Sequence, residues 1–226
     1  MAGFTGAPPI VTDGLVFAVD AANYESYPGS GTTWSDLSGN GSNGTLINGP
    51  TFNSGNGGYI TFDGTDEWVS LIDNIGNPQQ FTLSVWCRPT ALNVDENNNY
   101  RIVFFCSGAS GTGMLLIIEQ NGRIAFRIPG GAGAYWATDG FSGVNQWGYI
   151  TCVYDQVNRE TYFNGVSKGT YSEPGVTVDF GSPRICDPNR TYDYESDIAS
   201  VKIYNRVLTP QEVFQNYNAL KSRFNL

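Results

Sequence analysis

A predicted strand that runs directly into a predicted helix ends this chain, and this junction most constrains its fold. Residues 198–204 alternate with a period of two, even-numbered side chains on one face and odd-numbered ones on the other, which predicts a β-strand. Thr209 then supplies an N-cap oxygen, Pro210 occupies the first helical position, and Glu212 completes a Thr-x-x-Glu capping box. Because the upstream segments are typical of strands and turns, the junction predicts an all-β domain closed by one C-terminal helix.

The apolar residues of the predicted helix share one face. Val213, Phe214, Tyr217 and Leu220 recur at helical spacing, the pattern of a helix that packs one side on another element. We therefore expect residues 209–226 to form a clamp helix and tail that dock on the sheet, with Phe214 in the docked stripe.

Composition agrees with an all-β domain of this size. The chain has 226 residues, 28 glycines, 14% aromatic residues and only 15% charged residues, the balance of a turn-rich β-protein with an aromatic core. A chain of this length buries roughly 70% of its unfolded surface, so it needs no disulfide to fold. The net charge of −9 argues against nucleic acid as a partner, because phosphate binding requires a basic face.

Histidine is absent from the chain. This excludes Ser-His-Asp and Cys-His catalytic sites together with histidine-ligated zinc or iron. The four cysteines, Cys87, Cys106, Cys152 and Cys186, have no CxxC spacing, so a zinc site is not expected. Because the first three lie in apolar strand segments, we expect buried thiols rather than disulfides.

Residues 1–13 are expected to form an N-terminal arm, since four glycine and proline residues interrupt regular structure there. Two interpretations fit the arm equally, a frayed terminus and a segment that docks on a partner in an assembly. It lacks the basic and apolar regions of a secretory signal, and no run in the chain approaches 18 apolar residues. We therefore expect neither a signal peptide nor membrane insertion.

Residues 14–208 are predicted to form the β-sandwich. About ten to twelve short strands separated by turns indicate two packed sheets. The Asn-Gly dipeptide at 121–122 predicts a type I′ turn within a hairpin. Residues 23–58 are glycine-rich and predicted to be nearly strandless, with Trp34 and Leu37 available to anchor them to the sandwich.

Four segments taken together resemble the LamG-like, concanavalin A-like jelly-roll superfamily. They are Tyr59–Gly64, Phe81–Trp86, Trp147–Asp155 with Tyr162–Gly165, and Asp197–Arg206 with the helix that follows. Their order and spacing extend over most of the chain. The resemblance implies a two-sheet jelly-roll sandwich with an extracellular adhesive or structural role.

The opening of the sandwich resembles a narrower group, the LamG-like virion proteins of tailed bacteriophages. The similarity lies in Gly14–Asn23, Tyr27–Trp34, Asp36–Gly41 and Gly44–Leu46, and in the ending Asn216–Phe224. It implies a structural or adhesive component of a phage particle, in capsid decoration or in a tail or fibre, assembled in the host cytoplasm. Similar stretches occur in bacterial surface proteins, so a carbohydrate-binding module of such a protein is the alternative.

Three alternating acids near the last strand raise the question of catalysis. Asp193, Glu195 and Asp197 would share one face of a strand. Related sandwich glycosidases use a similar acidic strand, in which two carboxylates serve as nucleophile and acid/base. The residues between these acids do not match that family pattern, and the family's acidic strand lies mid-chain. We therefore expect no catalytic residues, with a glycoside hydrolase or lyase as the second alternative.

Asp20 and Asp197 form the candidate metal site. In the fold that the resemblance implies, the first and last strands commonly pair antiparallel, which would bring the two carboxylates near each other. Carboxylates with adjacent loop carbonyls are the oxygen ligands that Ca²⁺ prefers, whereas two uncompensated carboxylates would repel. Ca²⁺ is therefore the candidate cofactor, and the competing interpretation is that each aspartate separately caps backbone N–H groups.

Tyr135 and Trp136 form the candidate ligand site. They lie in a second glycine-rich loop, residues 129–146, rather than on a strand, and an exposed ring there could stack on the C–H face of a sugar. Burying part of a tryptophan at ~25 cal/mol/Å² yields only about 1–2 kcal/mol, so useful attachment needs many copies. The alternative is a loop anchored by its own aromatic side chains.

The favoured interpretation is a non-catalytic virion protein in an extracellular particle. Its expected partners are other virion proteins and, through weak multivalent binding, cell-surface polysaccharide. A homo-oligomer is compatible with both kinds of partner.

Overall fold

The structure is a computed structural model that describes residues 7–72, 75–92, 100–106, 113–119, 121–128, 137–186 and 195–226. Over these residues the chain forms sixteen strands, one α-helix and two 3₁₀ turns. The strands are β1 (Leu15–Asp20), β2 (Thr33–Trp34), β3 (Gly44–Ile47), β4 (Thr51–Asn53), β5 (Tyr59–Asp63), β6 (Trp68–Leu71), β7 (Phe81–Pro89), β8 (Tyr100–Cys106), β9 (Met114–Glu119), β10 (Ile124–Arg127), β11 (Ala137–Thr138), β12 (Gly148–Tyr154), β13 (Asn158–Phe163), β14 (Val166–Ser172), β15 (Arg184–Ile185) and β16 (Glu195–Tyr204). The helix is α1 (Pro210–Leu220), and the 3₁₀ turns are Gly55–Gly57 and Lys221–Phe224.

Two antiparallel sheets face each other across the core. Sheet A has the strand order β14-β13-β12-β7-β16-β5-β4, with β1 also paired to β16. Sheet B has the order β11-β10-β9-β8-β15-β6-β3-β2. This is the two-sheet jelly-roll sandwich with one C-terminal helix that the sequence predicts, so the fold class is confirmed.

The first and last strands pair, as expected. β1 runs antiparallel to β16, with Leu15 opposite Tyr204 and Asp20 opposite Ser200. The other half of β16 pairs with β5. The register therefore places Asp20 opposite Ser200 rather than opposite Asp197, so the two candidate metal ligands are offset along β16.

A β-bulge in β16 breaks the simple alternation that the sequence predicts. The register against β7 shifts between Ile198 and Ser200. Ile198 therefore shares the inward face with Val201 and Ile203, although strict alternation would group it with Ser200 and Lys202. Those two polar residues lie on the outer face of sheet A, where they are nevertheless buried.

Inward side chains of both sheets form the main core, which includes all four cysteines. Each cysteine is a buried thiol, which confirms the expectation from sequence. Burial raises the pKa of the Cys152 thiol, because a thiolate is costly in apolar surroundings. The four thiols therefore behave as small apolar side chains.

Residues 23–58 contain more strand than the sequence predicts. β2, β3 and β4 lie within this segment, and β3 pairs with β6 while β4 pairs with β5. Trp34 is fully buried and anchors the segment as expected, whereas Leu37 is 39% exposed. Strands this short do not show the alternation by which a strand is identified in sequence.

The capping box predicted for the clamp helix is present. The N–H of Glu212 donates to Oγ1 of Thr209 at 3.3 Å, and the N–H of Thr209 donates to Oε2 of Glu212 at 2.8 Å. Nη2 of Arg206 donates to the same glutamate at 2.6 Å. These contacts fix the helix start directly after β16, as the sequence predicts.

The clamp helix docks on the outer face of sheet A through most of the expected stripe, with Phe214 as the exception. Val213 is fully buried against Val153 and Tyr204. Asn216 is also buried, and its Nδ2 donates to Oη of Tyr204 at 3.1 Å. Phe214 is 49% exposed, so its expected place in the docked stripe is wrong. The side chains that contact the sheet start at Val213, which turns Phe214 to the rim.

A cluster of aromatic side chains lies beneath the C-terminal 3₁₀ turn. Trp86 stacks on Phe224 with ring centroids 4.3 Å apart and on Tyr217 at 5.8 Å. Trp147 also contacts Phe224, at 4.6 Å. Trp86 and Trp147 are therefore buried outside sheet A rather than between the two sheets.

Residues 9–11 of the N-terminal arm lie along the clamp helix. The N–H of Val11 donates to Oδ1 of Asn216 at 2.8 Å, and Oη of Tyr204 donates to the carbonyl of Val11 at 3.0 Å. Nε2 of Gln215 donates to the carbonyl of Pro9 at 2.8 Å. This part of the arm therefore contacts its own domain.

Among the described residues, every helix falls short of the length and apolar character that a membrane span requires.

Candidate functional site

Asp20 ends β1 beside the C-terminal 3₁₀ turn. Its Oδ1 accepts hydrogen bonds from Nη1 of Arg223 at 2.7 Å and from the N–H of Ala22 at 2.9 Å. Arg223 also donates to the carbonyl oxygens of Asn56 and Gly58. One arginine thus connects the first strand, the loop before β5 and the C-terminal turn.

Asp197 is buried on β16, with 2% of its side chain exposed. Its Oδ2 accepts a hydrogen bond from Nε of Arg88 at 2.6 Å, and its Oδ1 accepts one from Oγ1 of Thr61 at 2.5 Å. The guanidinium of Arg88 lies 5.1 Å from the ring centroids of both Tyr59 and Trp147. Asp197 is therefore neutralised by an arginine that is itself held between two aromatic rings.

Each of the two predicted calcium ligands is thus paired with an arginine. The charge of Asp20 is compensated by Arg223 and that of Asp197 by Arg88. An ion bound to both carboxylates would have to compete with two guanidinium groups. Within the described part of the chain, no group of three or more Asp, Glu, Cys or His side chains could hold a metal. Calcium binding stays a prediction, which metal removal tests.

Two of the three alternating acids are described. Glu195 is exposed at the start of β16, whereas the carboxylate of Asp197 is held by Arg88 and Thr61. Asp193 lies outside the described residues. A carboxylate engaged by both an ion pair and a hydroxyl is poorly placed to attack a substrate.

Tyr135 and Trp136, the candidate ligand site, lie outside the described residues. The structure therefore neither places these two rings nor brings them to another site. Their role in stacking on a sugar stays a prediction.

A groove of about 380 Å³ lies on the outer face of sheet A, where β12, β13 and β14 meet the start of the clamp helix. We call it the β13 groove. Its lining includes Val153, Asp155, Asn158, Glu160, Tyr162 and Thr209. Its volume is in the range of sites that bind small ligands.

Strand register brings the lining of the β13 groove together. Glu160 lies opposite Val153 of β12 and opposite Thr170 of β14, and residues directly opposite each other in an antiparallel pair share a face. Asn158 and Tyr162 lie two residues to either side of Glu160, so they project to the same face. The groove therefore has a row of polar groups along one strand.

A tight turn holds one end of the β13 groove. The carboxylate of Asp155 accepts hydrogen bonds from the backbone N–H groups of Val157 and Asn158. Burial alone would raise the pKa of Asp155, but these hydrogen bonds outweigh it and lower the pKa below its usual value. Asp155 therefore stays ionised and fixed in position at neutral pH.

The middle of the β13 groove is formed by Glu160 and Tyr162. Oγ of Ser167 donates to Oε1 of Glu160 at 2.5 Å, which orients that carboxylate. Burial, together with the hydrogen bond to Glu160 and its charge, raises the pKa of Tyr162. Tyr162 therefore keeps its proton, and its ring packs with Val153 and Leu208 to form an apolar floor.

Sequence reasoning missed the β13 groove. Its residues come from the β12–β13 hairpin, from β14 and from the start of the clamp helix, which are separated in the chain by up to 57 positions between Val153 and Pro210. The alternation of Asn158, Glu160 and Tyr162 is a period-two pattern in the printed sequence. That pattern predicts one polar strand face, but only the docking of the helix turns this face into a groove.

A protein-family model matches most of the chain and identifies the superfamily to which it belongs. The model of the Laminin_G_3 family, described as the concanavalin A-like lectin/glucanases superfamily, matches residues 54–214. The chain belongs to this superfamily. The match extends from the loop before β5 to the middle of the clamp helix, so it includes the whole β13 groove. A search of curated protein sequences gives no match.

Solved structures that resemble this superfamily member include toxin binding domains. The binding domain of Paraclostridial Mosquitocidal Protein 1 is 19% identical, with a TM-score of 0.73, over 92% of this chain and 52% of that one. The botulinum neurotoxin serotype D binding domain is 15% identical, with a TM-score of 0.71, over 92% and 52%. A structure concerning botulinum neurotoxin type C and its interaction with two ganglioside molecules is 16% identical, with a TM-score of 0.71, over 93% and 52%. The chain spans about half the length of these chains, and at such identities the likeness shows the fold alone.

Proposed function

We propose that this chain is a non-catalytic, adhesive glycan-binding module, and that the β13 groove binds a neutral sugar. The observation that carries the proposal is the row of fixed polar groups in that groove above an apolar floor. Carboxylate and amide groups such as those of Asp155, Asn158 and Glu160 hydrogen-bond sugar hydroxyls, while the ring of Tyr162 offers an apolar contact for C–H groups. Similar structures concern a ganglioside interaction and a complex with SialylT, which agrees with a glycan ligand.

Charge favours a neutral sugar over an acidic one in this groove. Asp155 and Glu160 both line it, and ionised carboxylates only accept hydrogen bonds. Hydroxyl groups can donate to them, whereas the carboxylate of a sialic acid would be repelled. The net charge of −9 for the chain adds to this repulsion at low salt.

Binding of one sugar in a groove of this size is expected to be weak for a single copy. Useful attachment then depends on many copies presented together. The test therefore uses the protein oligomerised on a multivalent carrier and a panel of neutral and sialylated glycans. We expect binding to neutral glycans only.

Glu160→Gln tests the groove directly, because it removes one charge and keeps the size of the side chain. We expect at least tenfold weaker binding to the best neutral glycan, and a similar loss for Asn158→Ala. Glu25→Gln, which removes the same charge from an exposed position elsewhere, is the matched control. Unchanged binding in Glu160→Gln would contradict the groove, and a loss confined to Trp136→Ala would assign binding to the 129–146 loop instead.

We further propose that the module functions in many copies on a phage particle. The support is the resemblance of residues 14–46 to LamG-like virion proteins, together with the need of a weak binder for multivalency. Proteomic analysis of purified particles from a host that encodes the chain is the test. Detection in the particle at high copy number supports the virion role, whereas detection only on a bacterial surface supports the alternative of a surface carbohydrate-binding module.

The absence of catalysis is the last part of the proposal. It is supported by the pairing of Asp197 with Arg88 and by similar structures that are binding domains. A reducing-sugar assay on the same glycan panel is expected to show no cleavage. Turnover that disappears in Glu195→Gln, with the fold intact, would establish a glycoside hydrolase or lyase.

A further inference from the structure

A second cavity, of about 240 Å³, lies on the outer face of sheet A between β1, β16 and the clamp helix. It is separate from the β13 groove and shares no lining residue with it. Apolar side chains dominate its walls, and two charged residues lie among them. Its lining includes Ile10, Leu15, Asp20, Leu37, Lys202 and Leu220.

Lys202 is the unusual member of this cavity, because only 5% of it is exposed. Its Nζ donates to Oγ of Ser200 at 3.3 Å, and an ammonium group has three hydrogens to donate. Ser200 lies opposite Asp20 in the sheet. The ammonium is therefore held next to the end of β1, where Asp20 lines the same cavity.

Two cations share one carboxylate around this cavity. Asp20 is bound by Arg223 at 2.7 Å, which leaves the charge of Lys202 without an ion pair of its own among the described residues. Burial lowers the pKa of Lys202; Asp20 acts to raise it, and Arg223 acts to lower it further. A buried ammonium is costly unless a counter-charge reaches it.

We propose that this cavity binds a small aliphatic monocarboxylate, whose carboxylate pairs with the ammonium of Lys202 and whose alkyl chain lies along Leu15, Leu37 and Leu220. One negative charge balances the two cations and one carboxylate already present. A phosphate dianion would place excess negative charge beside Asp20, and a neutral alcohol would leave the ammonium uncompensated. The apolar walls favour an alkyl chain over a polyhydroxylated one.

Butyrate is the probe for the test, with butyramide as its uncharged counterpart and sodium chloride at matched ionic strength as the salt control. We expect saturable binding of butyrate by calorimetry, together with a concentration-dependent rise in melting temperature. Butyramide is expected to bind at least tenfold more weakly. The groove variant Glu160→Gln should bind butyrate as the wild type does, which keeps this proposal distinguishable from the glycan proposal.

Lys202→Met removes the charge and keeps most of the length of the side chain, and it should abolish butyrate binding. Lys168→Met, at an exposed lysine of β14, is the matched control and should bind normally. Leu37→Trp provides a second variant. Leu37 lines the cavity and is 39% exposed, so a larger ring there would fill the cavity mouth, and it should weaken binding at least tenfold. Equal binding of butyramide, unchanged binding in Lys202→Met and Leu37→Trp, or no saturable response of the wild type would overturn the proposal.

Discussion

The carboxylate of Asp20 accepts a 2.7 Å hydrogen bond from Nη1 of Arg223, which lies 203 positions later in the chain. The pair joins the end of the first strand to the turn that follows the clamp helix. A second pair, Asp197 with Arg88, lies on the same side of sheet A at 2.6 Å. Both aspartates proposed as calcium ligands are therefore structural partners of arginines, and this changes what their substitution should do.

Asp197→Asn is expected to destabilise the protein even in EDTA. The substitution leaves the guanidinium of Arg88 without its carboxylate, at a cost of about 1–3 kcal/mol. Relief of carboxylate repulsion would have had the opposite sign. Thermal unfolding in EDTA measures the effect, and a variant as stable as the wild type would show that the ion pair contributes nothing.

The same melts test the calcium prediction. A bound ion stabilises the native state by about 2.7 kcal/mol at a hundredfold excess over its Kd. A calcium-dependent rise in the melting temperature of the wild type that is lost in Asp197→Asn would confirm the ion. Equal melting temperatures in calcium and in EDTA would reject it and leave the pairing of β1 with β16 untouched.

The loss of stability caused by substitutions in the clamp helix should depend on how deeply each side chain is buried rather than on its size. Thr209→Ala removes the cap oxygen and should cost about 1 kcal/mol. Val213→Ala should cost about 2 kcal/mol because Val213 is fully buried. Phe214→Ala should cost about 1 kcal/mol or less, since that residue is 49% exposed. Chemical denaturation gives all three values, and a larger loss for Phe214→Ala than for Val213→Ala would mean that the helix docks by a different face.

Two glycines with similar backbones offer a matched test of close packing. Gly122 has a φ of +80° and Gly175 a φ of +75°, so alanine is strained at both positions by roughly 1 kcal/mol. A Cβ at Gly122 would overlap the carbonyl of Phe141, whereas a Cβ at Gly175 meets open space. We expect Gly122→Ala to cost at least about 2 kcal/mol more than Gly175→Ala. Similar losses of stability in the two variants would show that the backbone at Phe141 moves to accommodate the added methyl group.

A buried ion pair joins Arg159 of β13 to Glu173, which directly follows β14. Both side chains are 4% exposed, and Nη2 of Arg159 lies 3.4 Å from Oε2 of Glu173. Nη1 of Arg159 also donates to the carbonyl of Phe126 in sheet B at 2.6 Å. Glu173→Gln should destabilise the fold by about 3–5 kcal/mol, because it removes the carboxylate that faces a buried guanidinium. The double variant Arg159→Met with Glu173→Met should recover much of this loss, and a Glu173→Gln variant within 1 kcal/mol of the wild type would contradict the argument.

Acid should weaken the start of the clamp helix through Glu212. The hydrogen bonds from Arg206 lower the pKa of Glu212 from about 4.5 to about 2, and those from Thr209 add to the effect. Because the folded-state pKa lies below the unfolded one, the resulting stability is fully present above pH 4.5 and is lost as the pH falls towards 2. Glu212→Gln keeps the capping-box shape and should flatten the pH dependence of the unfolding free energy across that window. Glu25→Gln, at an exposed site, should leave it unchanged; identical profiles for the wild type and Glu212→Gln would exclude this origin.

Elements that depend only on residues close together in the chain could be predicted from the sequence. The capping box at Thr209 and Glu212 involves residues three apart, and the alternation of residues 198–204 marks β16 without any knowledge of its neighbours. The place of Phe214 could not be derived in this way, because helical spacing defines a stripe but not its rotation on the sheet. The bulge between Ile198 and Ser200 likewise follows from packing against β7.

The chemistry of the outer face was harder to predict. Lys202 alternates with apolar residues, which is typical of a strand with one solvated side, yet the arm and the clamp helix bury it. The partners of Asp20 and Asp197 are arginines more than 100 positions away, and no local pattern specifies such pairs. The β13 groove also depends on where the helix docks. The sequence therefore identified the strands but not the sites that lie where distant segments meet.

The four buried cysteines can report how the core opens, because two lie in each half of the sandwich. Cys87 and Cys152 belong to sheet A, while Cys106 ends β8 of sheet B and Cys186 follows β15. A reagent that modifies thiols can reach any of them only when the sandwich separates locally or globally. Modification of all four at one rate would mean that the two sheets part as a single cooperative unit. Modification of Cys106 and Cys186 before Cys87 and Cys152 would mean that sheet B detaches first, while sheet A stays intact under the clamp helix.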